Sequence, residues 1–225
     1  AVLAPQAIIF DLDGVLADVR ESQRAAMIAT AATFGVPVTM QDIEDALRAG
    51  DAANDWIVTQ RLIAARGMQV DLATVTARYQ TLYLGDGRAP GLRVRERAIV
   101  RREVLERLAA RLPLAVVTGR PREEARWFLE RERMADLFRA VVCMEDAPRK
   151  PDPAPVRLAL ARLGVRRPWM IGNTPDDVRA AVGAAAVPLG IVAPGDDIAT
   201  TAAALRDAGA AHVLDNIADL EELLP

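Results

Sequence analysis

The sequence predicts an α/β protein whose core is a doubly wound, Rossmann-like parallel sheet, interrupted near its start by a small four-helix insertion. Three observations predict it. From residue 91 onward short apolar runs alternate with longer helical stretches, the rhythm of a parallel sheet covered on both faces. Polar clusters follow four of the apolar runs, and in such sheets ligands bind beyond the carboxyl ends of the strands. Residues 18–90 contain no strand-like run and read as helix broken by turns. The expected division is residues 1–17 with 91–225 for the sheet core, and 18–90 for the helical insertion. A chain of 225 residues, 52% of them hydrophobic, is long enough for one large core plus such an insertion.

The first run, Ala7-Ile8-Ile9-Phe10, is a buried strand by its unbroken apolarity. Residues 20–34 form an Ala-rich helix ended by Gly35 and Pro37. Thr39 caps a second helix reaching Leu47. After the polar loop 50–55, Asp55 caps a third over residues 56–66, and Asp71 caps a fourth reaching Leu84. Gly85, Gly87, Pro90 and Gly91 then break the chain. A helix over 95–111 leads to the strand Leu114-Ala115-Val116-Val117, which ends in Thr118-Gly119-Arg120. Pro121 suits the first position of the next helix. Residues 140–143 form a strand, followed by a polar loop to Lys150 and a helix opened by Asp152 that runs to Leu163. Residues 168–171 form another strand, and Gly172-Asn173-Thr174-Pro175-Asp176-Asp177 leads into a helix. Residues 188–192 and 211–214 are short final strands.

Composition excludes several function classes. A net charge of −3 implies no basic surface for nucleic acid, and the arginines interleave with glutamates along helices as solvated faces. No apolar run is long enough to span a membrane, and the N-terminus lacks the pattern of a signal peptide. The one cysteine, Cys143, cannot form an internal disulfide and suits a reducing compartment, so a cytoplasmic location is expected. His212 has no second histidine to work with and, like Cys143, reads as structural.

Chemistry concentrates at Asp11-Leu12-Asp13-Gly14. Residues i and i+2 of a strand share a side, so the register carried past Phe10 turns Asp11 and Asp13 toward one site. Two carboxylates so close repel unless a cation or a shared proton lies between them. The pair therefore reads as a divalent-cation site able to do chemistry. The competing reading is an Asx-type turn. A calcium loop is disfavoured, because the glycine follows two acidic positions and no bidentate Glu follows at loop spacing. Of the 28 Lys and Arg residues only Lys150 is lysine. Lysine is a compact point charge and arginine a planar fork, so a lone lysine marks a position where the fork does not fit.

Four motifs in order, Asp11-Leu12-Asp13-Gly14, Val117-Thr118-Gly119-Arg120, Arg149-Lys150-Pro151 and Gly172 to Asp177, make the sequence resemble the haloacid dehalogenase-like hydrolase superfamily. The resemblance covers the whole core, and the insertion resembles that superfamily's helical cap domain. It implies Asp11 as a nucleophile that becomes an aspartyl phosphate, and Asp13 as the acid and base. It implies Thr118, Gly119 and Lys150 as the phosphate-binding group. It further implies Mg²⁺ as cofactor, held by Asp11, Asp13, Asn173 and Asp177, with Asp176 able to compensate. Asn173 departs from the pattern, which has Asp there, so metal affinity is expected to suffer.

The presence of Asp13 argues for phosphoryl transfer over carbon–halogen cleavage, since a halide needs no proton. The expected function is a Mg²⁺-dependent phosphatase of a small phosphate monoester. The alternatives are a β-phosphoglucomutase-like phosphomutase, or a catalytically impaired binding or regulatory member because of Asn173. Within the superfamily the placement of the cap resembles that of phosphoglycolate phosphatase and β-phosphoglucomutase, and some similar capped members are associated with histidine biosynthesis, which makes histidinol phosphate a candidate substrate. The substrate readers expected are Asn54 and Trp56, with Arg120 beside the second motif. Trp56 reads equally as a residue of the insertion's own core, and Arg120 equally as a helix-start surface residue.

Overall fold

The computed structural model describes residues 4–50 and 54–225. The chain divides into two compact units, one of residues up to Ala17 with Ala98–Pro225, the other Asp18–Arg97.

In the first unit the strands β1 (Ala7–Phe10), β4 (Leu114–Val117), β5 (Phe138–Val142), β6 (Pro168–Gly172), β7 (Val187–Ile191) and β8 (His212–Leu214) form one sheet in the order β5-β4-β1-β6-β7-β8. Every pairing is parallel. The order grows outward in both directions from β1, the doubly wound arrangement. Two further strands, β2 (Ala17–Asp18) and β3 (Arg97–Ala98), pair where the chain leaves and re-enters this unit. The helices of the first unit are α5 (Arg102–Arg111), α6 (Arg122–Arg131), α7 (Ala154–Leu163), α8 (Pro175–Gly183), α9 (Ile198–Ala208) and the short α10 (Leu220–Leu223).

Strand alternation accounts for the unbroken apolar runs. Ile9, Ala115, Val117, Ala140, Val142 and Met170 face one side and pack with Val156 and Ala159 of α7 and Ala180 and Ala181 of α8. Ile8 and Phe10 point to the other side and are just as buried, with Phe10 edge-on to Phe138 at a centroid distance of 6.2 Å. A strand covered on both faces has no position left for an alternating polar residue.

The second unit holds α1 (Ala25–Thr33), α2 (Met40–Ala49), α3 (Asp55–Ala65) and α4 (Leu72–Leu84), the four helices expected. A π-helical turn, Arg20–Arg24, leads into α1. Its core is built on Met27, Ile43, Val58, Ile63, Val75, Tyr79 and Tyr83. The caps are local: Thr39 and Asp42 close a capping box on α2, and Asp71 accepts from the Thr74 amide at the start of α4. Among the described residues no helix is long and apolar enough to cross a membrane.

Several local expectations change. The helix predicted over 95–111 begins only at Arg102, after a 3-10 turn (Leu92–Arg95) and β3. The reason is tertiary. Leu92 packs on the helical core, and the fully buried Glu96 accepts a 2.6 Å hydrogen bond from Tyr83 Oη. The same contacts carry the helical unit to Arg97 instead of residue 90. Asn54, not Asp55, caps α3, leaving Asp55 to accept from Tyr79 Oη at 2.8 Å. Pro121 is itself the N-cap of α6, one position earlier than expected.

Candidate active site

The site forms at the carboxyl ends of β1, β4 and β6. Asp11 follows β1 directly, and its amide donates to Ile171 O at 2.9 Å, which extends the pairing with β6 by one residue. The chain then turns at Gly14, whose φ is +77°. A Cβ there would lie 2.4 Å from Asn173 Nδ2, so glycine is required both for the turn and for the approach of the β6 loop.

Lys150 Nζ donates to Asp11 Oδ1 at 2.8 Å and to Val117 O at 3.3 Å, and is paired with Asp177 Oδ1 at 2.5 Å. One ammonium thus ties together the ends of β1 and β4 and the start of α8. Three partners around one nitrogen suit a compact cation with three donors better than a planar fork. Burial is the largest influence on both charges. It pushes the Asp11 carboxyl up to about 7, an effect reinforced by the Asp177 carboxylate and opposed by Lys150. On Lys150 burial acts to release the proton, but Asp11 and Asp177 outweigh it and hold the ammonium above its ordinary range. The site is short of positive charge at Asp11.

Asp177 is a hub. Besides pairing with Lys150, it accepts at Oδ2 from the amides of Asn173 and Thr174 at 3.1 and 3.0 Å and from Thr174 Oγ1 at 2.8 Å. Gly172 makes this possible, since a Cβ there would lie 2.1 Å from Asp177 Cβ. Asp176 is buried beside it, with Arg179 Nη1 at 3.5 Å.

Asn173 is buried, and its Oδ1 is sealed from solvent with no hydrogen-bond partner. An orphaned carbonyl oxygen in such a place suits a cation ligand. Among the described residues no group of three or more His, Cys, Asp or Glu side chains stands ready to hold a metal. A cation here would depend on that amide oxygen and on backbone carbonyls as well as on carboxylate.

Thr118 continues β4, its amide donating to Val142 O at 2.9 Å. Its Oγ1 accepts from the Arg120 amide at 3.1 Å, which closes a tight turn over Gly119. A Cβ on Gly119 would meet nothing within 4 Å, so the backbone there borders open space. Arg120 does not lie at the surface. It is buried, stacks its guanidinium 5.3 Å from the centre of the Phe128 ring, and donates from Nε to Asp13 Oδ1 at 2.6 Å.

The sequence-predicted residues therefore fall into two groups. Asp11, Asp13, Thr118, Gly119, Lys150 and Asn173 lie in the first unit on the loops that follow β1, β4, β5 and β6, and Asp176 and Asp177 lie there in the first turn of α8. Asn54 and Trp56 lie in the helical unit. Asn54 Oδ1 accepts from the Ile57 amide at 3.0 Å as the cap of α3, and Trp56 packs half-buried against the helical core. Residues 51–53 of the expected reader loop lie outside the described residues. Sequence reasoning missed the Arg120–Asp13 pair and the hub role of Asp177. Nothing local signals a partner 107 residues away. The capping pattern Thr174-x-x-Asp177 was a readable sign of the second.

The model of the haloacid dehalogenase-like hydrolase family matches residues 8–191, and the chain belongs to that family. It is 34% identical to a phosphoglycolate phosphatase of Rhodospirillum rubrum, over 98% of this chain and 91% of that protein. It is 42% identical over 197 residues to a Phytophthora nicotianae protein named imidazoleglycerol-phosphate dehydratase, matching 84% of this chain and only 44% of that protein's length. A Thermotoga maritima structure described as a candidate β-phosphoglucomutase superposes with a TM-score of 0.68 at 25% identity, over 97% of this chain and all of that one.

Proposed function

We propose that this haloacid dehalogenase-like hydrolase is a Mg²⁺-dependent phosphatase acting on a small phosphate monoester through an aspartyl phosphate. The observation that carries the reading is Lys150 Nζ, fixed between Asp11 and Asp177 at 2.8 and 2.5 Å at the end of the central strand. Asp11 attacks phosphorus, a bond forms from its carboxylate oxygen, and the bond to the leaving oxygen breaks. Asp13 gives that oxygen a proton. Water then attacks the aspartyl phosphate, Asp13 takes the water's proton, and phosphate departs with Asp11 restored. Thr118 and the Gly119 amide hold phosphate oxygens, and Lys150 neutralises charge beside the nucleophile.

The Asp11 carboxylate, the Asp13 carbonyl and the orphaned Asn173 Oδ1 are the groups that would hold Mg²⁺. When bound, the ion supplies the positive charge this phosphoryl chemistry needs and keeps Asp11 ionised. Asp177, already occupied by Lys150 and the loop amides, anchors the site from behind, and Asp176 is drawn toward Arg179. A chain without a membrane-crossing helix among its described residues, carrying one cysteine, fits a cytoplasmic enzyme with a small-molecule substrate.

The relatives' names give 2-phosphoglycolate, imidazoleglycerol phosphate and β-glucose 1-phosphate as substrates to try, and the resemblance read from the sequence adds histidinol phosphate. Phosphate release from this panel, with Mg²⁺ and with EDTA, tests the reading. Metal-dependent release on one or a few related esters is expected. Interconversion of a phosphosugar with little net release would favour the mutase, the reading that the Thermotoga neighbour supports. No turnover of any panel member by folded protein would favour an impaired member.

A further inference from the structure

We infer that Arg120 is a positioning residue that aims the Asp13 carboxylate at the leaving oxygen. The inference rests on the acid–base role proposed for Asp13 and goes beyond it. Arg120 lies two residues past Thr118, where a guanidinium would be expected to reach for substrate phosphate. Its position argues otherwise. The side chain is only 1% exposed, whereas that of its partner Asp13 is 30% exposed. Nε and Nη2 both lie 2.6 Å from Asp13 Oδ1. The pair is thus open at the carboxylate and sealed at the guanidinium.

Arg120 is held from several sides. Its amide is bonded to Thr118 Oγ1, its carbonyl accepts from the Met144 amide at 2.9 Å, and its guanidinium rests on the Phe128 ring. A planar fork locked at both ends restricts the rotamers of the carboxylate it grips. Asp13 follows Asp11 in a loop and is the more exposed of the two, so its direction has to be imposed by a neighbour. Proton transfer to a leaving group requires hydrogen-bond reach and alignment, and a displacement of about 1 Å is enough to lose on the order of 100-fold in rate. A buried guanidinium with no counter-charge would be expensive, so the pair is also self-sustaining.

Such a role leaves a kinetic signature. An alkyl phosphate expels a poor leaving group that needs the proton, whereas 4-nitrophenyl phosphate expels one that hardly does. Arg120→Gln, and Arg120→Lys as the milder variant, are expected to lower kcat on the best alkyl phosphate of the panel by on the order of 10- to 100-fold. KM should move by less than about threefold, and the loss on 4-nitrophenyl phosphate should be several times smaller. Circular dichroism and thermal melting report whether each variant is folded. If Arg120→Gln fails that test, Arg120→Lys, which keeps charge and stem but offers a point for a fork, supplies the comparison.

A loss equal on both substrates, a change in KM alone, or no change overturns the inference, the second result assigning Arg120 to substrate binding. Asp13→Asn is measured alongside. If it too fails to discriminate between the substrates, the acid–base reading of Asp13 has failed. If it discriminates and the Arg120 variants do not, only the positioning role has failed. Within the role, Asp13→Asn with Arg120→Gln should be no slower than Asp13→Asn alone.

Discussion

The two units use charge in different ways. At the helix starts of the helical unit, Thr39 with Asp42, Asn54 with the Ile57 amide, and Asp71 with the Thr74 amide are each three residues apart, and Glu44 meets Arg48 one turn along α2. In the sheet unit Lys150 meets Asp11 across 139 residues and Arg120 meets Asp13 across 107, with most of each cation buried. Such local caps and pairs add from a few tenths to about 1 kcal/mol apiece and help define where helices begin. Buried pairs gain little net stability, because desolvation cancels most of the attraction. Their place at the strand ends is thus a sign of chemistry more than of folding.

The sharpest way to break this contrast is at Asp11. Asp11→Asn should lower turnover on the order of 10⁴-fold or more, because no other group can form the phosphoryl bond, while circular dichroism and thermal melting remain close to wild type. Full residual activity would remove Asp11 as nucleophile. Lys150→Met should act on both fronts. It leaves Asp11 and Asp177 without their shared cation, so turnover should collapse and denaturant melts should show a loss of about 3–5 kcal/mol. An unchanged midpoint would mean that the triad contributes nothing to the fold.

Asn173→Asp tests the metal seat apart from activity. Without a divalent ion the new carboxylate joins a loop that already holds Asp176 and Asp177 and faces a site short of positive charge, so the melting temperature should fall. With Mg²⁺ it should rise further than in the wild type, and calorimetry should show tighter binding, on the order of tenfold. An identical Mg²⁺ response in the two proteins would place the ion elsewhere.

The sheet was legible because a strand covered on both faces must be continuously apolar, and Ala7 to Phe10 and Leu114 to Val117 are. The candidate site positions were legible because strand ends, an Asp-x-Asp-Gly turn and a solitary lysine each leave a mark in the sequence itself. What stayed hidden depends on distance. Glu96 holds its segment out of the helix its neighbours favour by meeting Tyr83. Arg120 reads as an exposed helix-start residue until Phe128 and Asp13 are brought beside it. Asn54 and Trp56 read as substrate contacts from the groups they carry; the structure adds that the Asn54 oxygen caps α3 and that Trp56 packs on the helical core, the second of the two readings its sequence offers.

The smallest expected effect lies at the other pole of the comparison. Arg66 foremost, and then the amide and hydroxyl of Thr39, bond to Asp42 and draw its carboxyl from 3.8 to about 2. A carboxyl depressed in the folded state stabilises above its unfolded value, and that stabilisation is lost as pH falls toward the folded value. The stability gap between wild type and Asp42→Asn should therefore be constant above about pH 5 and close between about pH 4 and 2, in urea melts of the full chain. Thr39→Ala, which removes the hydroxyl from the same cap, should cost about 1 kcal/mol at neutral pH with kcat unchanged. A fall in kcat in either variant would mean that this helix start is coupled to the chemistry, and the division between structural charge and reactive charge would then not follow the boundary between the units.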